Sequence, residues 1–313
     1  MEERVHLGHI EERVNRPGLP QPGEPEQERE PDDREQGRVE PGPHGPGRRS
    51  TLPPSRHPVS IAGCRGDASR LLLRRRSFLY WGVTIAERVR AVEAEVEAAC
   101  ARAGRKRPAV TLVAVSKTRT ADEVAAAARA GINDFGENRV QEAAAKIPQM
   151  REFLPRLRWH LVGHLQTNKV RPALELFDII HSVDSPRLAR ELQARAEAAD
   201  RRLEVLVEVN TSGEESKFGV EPGLVPALVD EVTACDRLDL NGLMTIGPGW
   251  AVTDPEASRP CFRLLRELRD DARARTGLPL PHLSMGMSSD FIIGIEEGAT
   301  IIRVGTALFG PRP

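Results

Sequence analysis

The chain has 313 residues, enough for one large or two average domains with a sizeable core, and its 45 Lys and Arg almost balance its 46 Asp and Glu. A net charge of −1 offers no strong field for nucleic acid or an anionic membrane, and no apolar run reaches the length of a membrane span. The four cysteines, Cys64, Cys100, Cys235 and Cys261, have neither metal-type nor redox-type spacing; they read as reduced thiols and point to the cytoplasm.

Residues 1–82 are crowded with Pro, Gly, Arg and Glu, as in Glu40-Pro41-Gly42-Pro43. Too few apolar groups are present to offset the entropy of ordering, so the segment reads as a disordered extension or a mis-assigned translation start. An acidic cluster from Glu24 to Glu35 argues against a transit peptide, and the apolar run after Arg74-Arg75-Arg76 is too short for a signal. The folded domain is expected over 83–313.

A helix with apolar residues at helical spacing leads in from Ala86 to Cys100 and ends near Gly104. Strands are then expected at Val110–Ser116, Ile132–Phe135, Arg158–Gly163, Asp178–Val183, Leu203–Val209, Leu238–Ile246, His282–Met287 and Thr300–Val304. Ala- and Leu-rich helical stretches alternate with them, among others Ala121–Ala130, Pro186–Ala199, Leu224–Ala234 and Arg259–Arg275. Strands apolar on both faces that alternate with helices form a parallel sheet. Eight strand–helix units, with the lead-in helix covering the last strand, predict an α/β fold, a single (β/α)8 TIM barrel, which takes about 250 residues. A doubly wound sheet would carry a Gly-rich phosphate loop after its first strand, and neither G-x-G-x-x-G nor a P-loop occurs.

Barrel enzymes keep their working groups where strands end. Lys117 follows the first strand directly. A lysine there ordinarily snorkels into water, but burial against apolar walls or nearby positive charge lowers the amine pKa and frees a lone pair for carbonyl attack. Ser288-Ser289-Asp290 follow the seventh strand, and Arg303-Val304-Gly305-Thr306 close the eighth. Taken alone, Ser289 or Asp290 reads as a helix cap. Together the two loops form a phosphate cup: hydroxyls, backbone N–H groups at a helix start, and Gly305 for close approach. A phosphate cup facing a strand-end lysine suggests a ligand with both aldehyde and phosphate, for which pyridoxal phosphate is the common choice. His160 and His164 lie on one face of the third strand, without the helix and glutamate of a zinc site; they read as structural or pocket-lining, and no metal is expected. The loop Asn210–Gly219 carries Lys217, which is either solvated or helps an aldehyde in and out.

These residues resemble the pyridoxal phosphate homeostasis proteins, the YggS/PROSC family of single-barrel relatives of the alanine racemase N-terminal domain. The resemblance runs from about Val83 to Gly310. Its motifs are Ala114-Val115-Ser116-Lys117-Thr118, Phe135-Gly136-Glu137-Asn138, Trp159 to Lys169, Asn210 to Gly219, Gly242-Leu243-Met244, Leu283 to Asp290, and Arg303 to Gly310. It implies a fold-type III barrel binding pyridoxal 5′-phosphate, with Lys117 holding the aldehyde as a Schiff base. It also implies that Ser288, Ser289, Gly305 and Thr306 bind the phosphate, that Asn138 lines the ring pocket, and that Arg303 faces the pyridine nitrogen or the phosphate edge. Arg139 stands where the family often has Tyr, and residues 1–82 have no family counterpart.

A carrier and an amino-acid racemase are the competing functions, with a Schiff-base aldolase third. Racemases related to this family need a lysine and a tyrosine as opposed bases, the tyrosine supplied with a second domain. This chain's one tyrosine, Tyr80, precedes the barrel, and few residues follow Gly310. An arginine at the pyridine nitrogen would also weaken the ring as an electron sink. The reading is therefore a monomeric, non-catalytic carrier with no catalytic residue assigned. It would buffer pyridoxal phosphate and deliver it to apo-forms of enzymes that use it.

Overall fold

The computed structural model describes residues 82–311, so the expected extension, with Cys64 and Tyr80, lies outside the described residues except for Gly82. Helix α1 (Ile85–Arg102) begins at a capping box: the Glu87 N–H donates to Thr84 Oγ1 at 3.2 Å, and the Thr84 N–H donates to the Glu87 carboxylate at 2.8 Å. Two donors that no helical carbonyl can reach are thereby satisfied. Then follow β1 (Thr111–Val115), α2 (Ala121–Arg129), β2 (Asp134–Glu137), α3 (Val140–Phe153), β3 (Arg158–Leu161) and α4 (Val170–Leu176). The second half holds β4 (Ile179–Val183), α5 (Pro186–Ala198), β5 (Leu203–Glu208), α6 (Val225–Thr233), β6 (Leu238–Met244) and α7 (Arg259–Thr276). It ends with β7 (His282–Met287), α8 (Phe291–Glu296), β8 (Ile301–Val304) and α9 (Thr306–Phe309).

Each strand is parallel to the next, and β1 pairs with both β2 and β8, so the sheet closes into an eight-stranded barrel. The expected TIM barrel is present. Helix α1 packs on α2, α8 and α9 and covers the flank that the four-residue α9 is too short to cover. Inside the barrel, Val113, Leu206, Met244 and Ile301 form their own apolar cluster, while Leu112, Ala114, Val205, Val207, Leu243, Ile302 and Val304 belong to the larger core under the helices. The side chains thus alternate with the two-residue period of a strand, and that period fixes which residues look into the barrel.

All the expected strands except β7 differ from the sequence expectation by one or two residues at their ends, β2 most instructively. Strand β2 is Asp134–Glu137 rather than Ile132–Phe135, because its pairing with β1 runs from Val113↔Asp134 to Val115↔Gly136. Ile132 is buried in the outer core at the approach to the strand, so apolar character and strand pairing part company there. Helix α3 continues through Pro148, held by the buried face of Val140, Ala143, Ile147 and Met150. Packing of that face outweighs the hydrogen bond that proline removes.

Candidate functional site

Two residues past β1, Lys117 sits half-buried at the end of the barrel where all strands terminate. Its place in the turn directly after β1 sets the lysine at the barrel mouth. The turn that presents it is anchored from outside. Lys146 of α3 is 8% exposed and donates to the Ser116 carbonyl and to Glu137 Oε1, both at 2.7 Å; Ser116 Oγ donates to the same Glu137 oxygen at 2.7 Å. Glu137 is fully buried, and burial pushes its carboxyl above the usual range although Lys146 and Ser116 pull it down. The N–H of Thr118, which takes a left-handed φ of 62°, donates to Glu142. The backbone on both sides of Lys117 is therefore held by carboxylates and a buried ammonium.

Behind the mouth, a hydrogen-bond chain threads the barrel interior. Arg303 donates through Nη1 to Ser284 Oγ (2.6 Å) and through Nη2 to the Thr245 carbonyl (2.8 Å). Ser284 Oγ lies 2.9 Å from His181 Nδ1, His181 Nε2 lies 2.9 Å from His160 Nδ1, and His160 Nε2 lies 3.0 Å from Asp134 Oδ1. With Asp134 ionised, the carboxylate can only accept, so His160 carries its proton on Nε2. His181 Nε2–H then donates to His160 Nδ1, and His181 Nδ1 accepts from the Ser284 hydroxyl. The chain has one direction, from the Arg303 guanidinium to the Asp134 carboxylate. Burial, then His160 and Arg303, holds His181 well below the ordinary histidine pKa and so keeps it neutral. Burial also lowers Arg303 to about 10, opposed by Glu208 and Asp290; it remains charged at neutral pH.

The loops after β7 and β8 meet at Ser288. Its Oγ accepts the N–H groups of Gly305 (3.2 Å) and Ala307 (3.4 Å), so two backbone donors converge on one oxygen. Gly305 leaves room for this: a Cβ there would lie 3.3 Å from the Val115 carbonyl. Ser289 is half-buried and Thr306 exposed beside them. Neither Ser289 nor Asp290 caps α8. The Asp290 carboxylate instead accepts the Met287 N–H and the Ser258 hydroxyl, both at 2.6 Å, which fixes the loop. Helices α8 and α9 have only six and four residues, so the cup relies on individual N–H groups rather than on a helix dipole.

Asn138 is half-buried just past β2 and lies against Gly163, where a Cβ would come within 2.4 Å of the Asn138 carbonyl oxygen. The two histidines separate. His160 joins the interior chain, whereas His164 lies beyond β3, 3.1 Å from Asp184, and stacks on Phe218 with ring centroids 3.9 Å apart. Strand β3 ends at Leu161, so the strand face expected to carry both histidines does not extend to His164. Among the described residues no group of three or more His, Cys, Asp or Glu is placed to hold a metal. Lys217 donates to Glu214 (2.6 Å) and the Gly247 carbonyl (2.5 Å), tying the loop after β5 to the loop after β6. Arg139 is exposed at the start of α3.

The structure brings Lys117, Asn138, Ser288, Ser289, Gly305 and Thr306 to one end of the barrel, with Arg303 one layer below Gly305. Sequence reasoning passed over His181, Ser284 and Glu208. The signal was present in Ile179-Ile180-His181-Ser182-Val183 and Leu203-Glu204-Val205-Leu206-Val207-Glu208, where polar residues interrupt strands that are otherwise apolar.

Comparison with known proteins agrees with this geometry. The family described as alanine racemase, N-terminal domain, matches residues 88–313. A pyridoxal phosphate homeostasis protein of Aquifex aeolicus is 44% identical over 72% of this chain and 97% of its own, and a human protein of the same name is 40% identical over 72% and 85%. The structure of PipY from Synechococcus elongatus PCC7942 with PLP bound superposes with a TM-score of 0.64 at 37% identity, covering 72% of this chain and all of that one. With a family model matched over residues 88–313 and relatives 40–44% identical over 72% of the chain, the chain belongs to the pyridoxal phosphate homeostasis proteins, a family built on the alanine racemase N-terminal-domain fold.

Proposed function

We propose that this chain binds pyridoxal 5′-phosphate through Lys117 and the loops after β7 and β8, and that it stores and hands on the cofactor without turning over a substrate. The observation that carries the reading is the shared location, at one barrel end, of a half-buried lysine and two backbone N–H groups converging on one oxygen. In this structure both donors serve Ser288 Oγ; a phosphate oxygen suits the same two N–H groups once the Ser288 hydroxyl turns to donate to it, so the residues present fit the group. The names of the relatives and the PLP-bound PipY structure support the same reading.

When bound, the cofactor supplies an aldehyde that condenses reversibly with an amine. Lys117 provides that amine on a turn held rigid by Lys146 and Glu137. Gly305 and Ala307 N–H groups, with the hydroxyls of Ser288, Ser289 and Thr306, take the phosphate, and Asn138 lines the ring pocket. Arg303, held by Ser284 and Thr245, presents a charge that it keeps at neutral pH. Such a charge at a pyridine nitrogen keeps that nitrogen unprotonated and disfavours carbanion chemistry. Racemisation would in addition need a second base, and residues 83–313 contain no tyrosine. The reading takes 83–313 as the functional unit, a monomer in the cytoplasm, with apo-forms of cofactor-dependent enzymes as recipients. The buried free thiols Cys100, Cys235 and Cys261 fit a reducing compartment, and among the described residues no helix is long and apolar enough to cross a membrane.

The test is the visible absorption of the protein mixed with pyridoxal phosphate, beside Lys117→Ala, followed by borohydride reduction and peptide mapping. A band lost in the variant, a reduced adduct on Lys117 and no interconversion of D- and L-alanine are expected. An unchanged band in Lys117→Ala would overturn the assignment of the lysine, and lysine-dependent interconversion would overturn the carrier role.

A further inference from the structure

Glu208 is a buried carboxylate at the barrel mouth that the binding reading leaves unused. It is the last residue of β5, paired in register with Met244, and shares the inward parity of Leu206 and Met244. Its side chain therefore looks into the barrel at the level where the strands end, the end at which Lys117 follows β1. The residue is 4% exposed, and its Oε2 is buried without a hydrogen-bond partner. Arg303 of β8, the cation that acts on it, spends Nη1 on Ser284 and Nη2 on Thr245. Asp184, just past β4, adds a like charge, although Asp184 itself has His164 at 3.1 Å. An acceptor oxygen so placed, with a second carboxylate beside it, favours a cation that brings its own N–H donors. An ammonium group fits; a metal ion lacks a third ligand here.

We propose that Glu208 receives the ammonium group of an incoming primary amine, such as a free amino acid, and takes one proton from it. The inference rests on the cofactor reading above and deepens it by naming what triggers release. In the step, R–NH3+ gives a proton to the Glu208 carboxylate, yielding R–NH2 and Glu208 as the neutral acid; no bond to carbon forms or breaks, and charge is conserved. The neutral amine has the lone pair needed to compete with Lys117 for the aldehyde carbon, which the ammonium ion lacks. Burial, then repulsion from Asp184, raises the Glu208 carboxyl to about 7, against the pull of Arg303. A group so poised both accepts and returns a proton near neutrality.

Two measurements test this. In the first, protein loaded with pyridoxal phosphate is mixed at pH 7 with L-alanine, an ammonium ion, or with methoxyamine, which is already neutral there, and loss of the visible band is timed. Glu208→Gln is expected to slow release by alanine about a hundredfold while changing release by methoxyamine little. Equal slowing with both amines, or no slowing with alanine, would overturn the role of Glu208. In the second, cofactor-free wild-type protein labelled with 13C at the glutamate carboxyl carbon is titrated by NMR, the Glu208 resonance being assigned by its absence from Glu208→Gln. The resonance is expected to titrate near neutrality, and at lower pH when saturated with ethylammonium chloride. An identical curve in sodium chloride of the same strength would overturn the ammonium site. If wild-type protein forms no band at all, the cofactor reading fails, and the NMR titration still decides whether an ammonium group binds at Glu208.

Discussion

Lys146→Met tests whether the turn carrying Lys117 is held by a buried ion pair. Met preserves the length and apolar stem of the side chain and removes only the ammonium, which donates at 2.7 Å to Glu137 Oε1 and to the Ser116 carbonyl. Glu137 is fully buried and its Oε2 already lacks a partner, so loss of Lys146 strands a carboxylate with the Ser116 hydroxyl as its remaining bond. Breaking a buried pair from one side costs about 3–5 kcal/mol, which for a barrel of this size lowers Tm by about 10 °C. The effect depends on pH in a set direction. Burial already raises the Glu137 carboxyl, and removing Lys146 raises it further. A carboxyl raised on folding is most favourable to the native state at low pH and loses that contribution as pH rises through its folded value. The deficit of Lys146→Met should therefore be smaller at pH 5 than at pH 8. The double variant with Glu137→Gln should recover part of the stability and lose the pH dependence. Circular-dichroism melts of the three proteins at both pH values decide the matter. A single variant within about 1 kcal/mol of wild type, or a double variant as pH-sensitive as the single, would refute the ion-pair account.

Three further outcomes are expected. Gly163→Ala places a methyl 2.4 Å from the Asn138 carbonyl oxygen and 2.9 Å from its Cα, both rigid backbone; urea unfolding should show a loss of about 1–3 kcal/mol, and affinity for pyridoxal phosphate should fall, whereas wild-type behaviour would mean that this crossing has slack. The direction of the interior chain requires Nε2–H on both His160 and His181, which long-range 15N–1H spectra read directly; an Nδ1–H on His181, or its protonation at pH 6, would break the assignment. Because Glu208 is raised from 4.5 to about 7, the folded state keeps its proton over a window in which the unfolded chain has lost it. Wild-type stability should fall by about 3 kcal/mol across that window as pH rises, and Glu208→Gln should lack this component; parallel pH curves for the two proteins would contradict the burial argument.

Lys117, Ser288, Gly305 and Thr306 were legible because strand ends are legible: each follows an apolar run with β character, and the strands of a parallel barrel all end on one face. Resemblance to a family supplied the roles proposed for Asn138 and Arg303, which spacing left open. His160 and His164 show where local reading stops. As residues of one extended stretch they look like a pair on one face, yet one points into the barrel toward His181 of the next strand and the other leaves the sheet to meet Asp184 and Phe218. Ile132 likewise has strand character and lies outside the ladder, because register belongs to the pair of strands and not to either alone.

By itself the sequence determined the α/β alternation, the number of strands and the lysine after β1, since all of these rest on periodicity among residues close together in the chain. Only the tertiary structure decided that Asp134, His160, His181, Ser284 and Arg303 form one directed chain, that Lys146 holds the turn before Lys117, and that Glu208 lies buried at the mouth with its Oε2 lacking a hydrogen-bond partner. Those relations join residues from 9 to 103 positions apart. They exist because closing the barrel removes water from its interior and favours pairing of its buried polar groups across the strands.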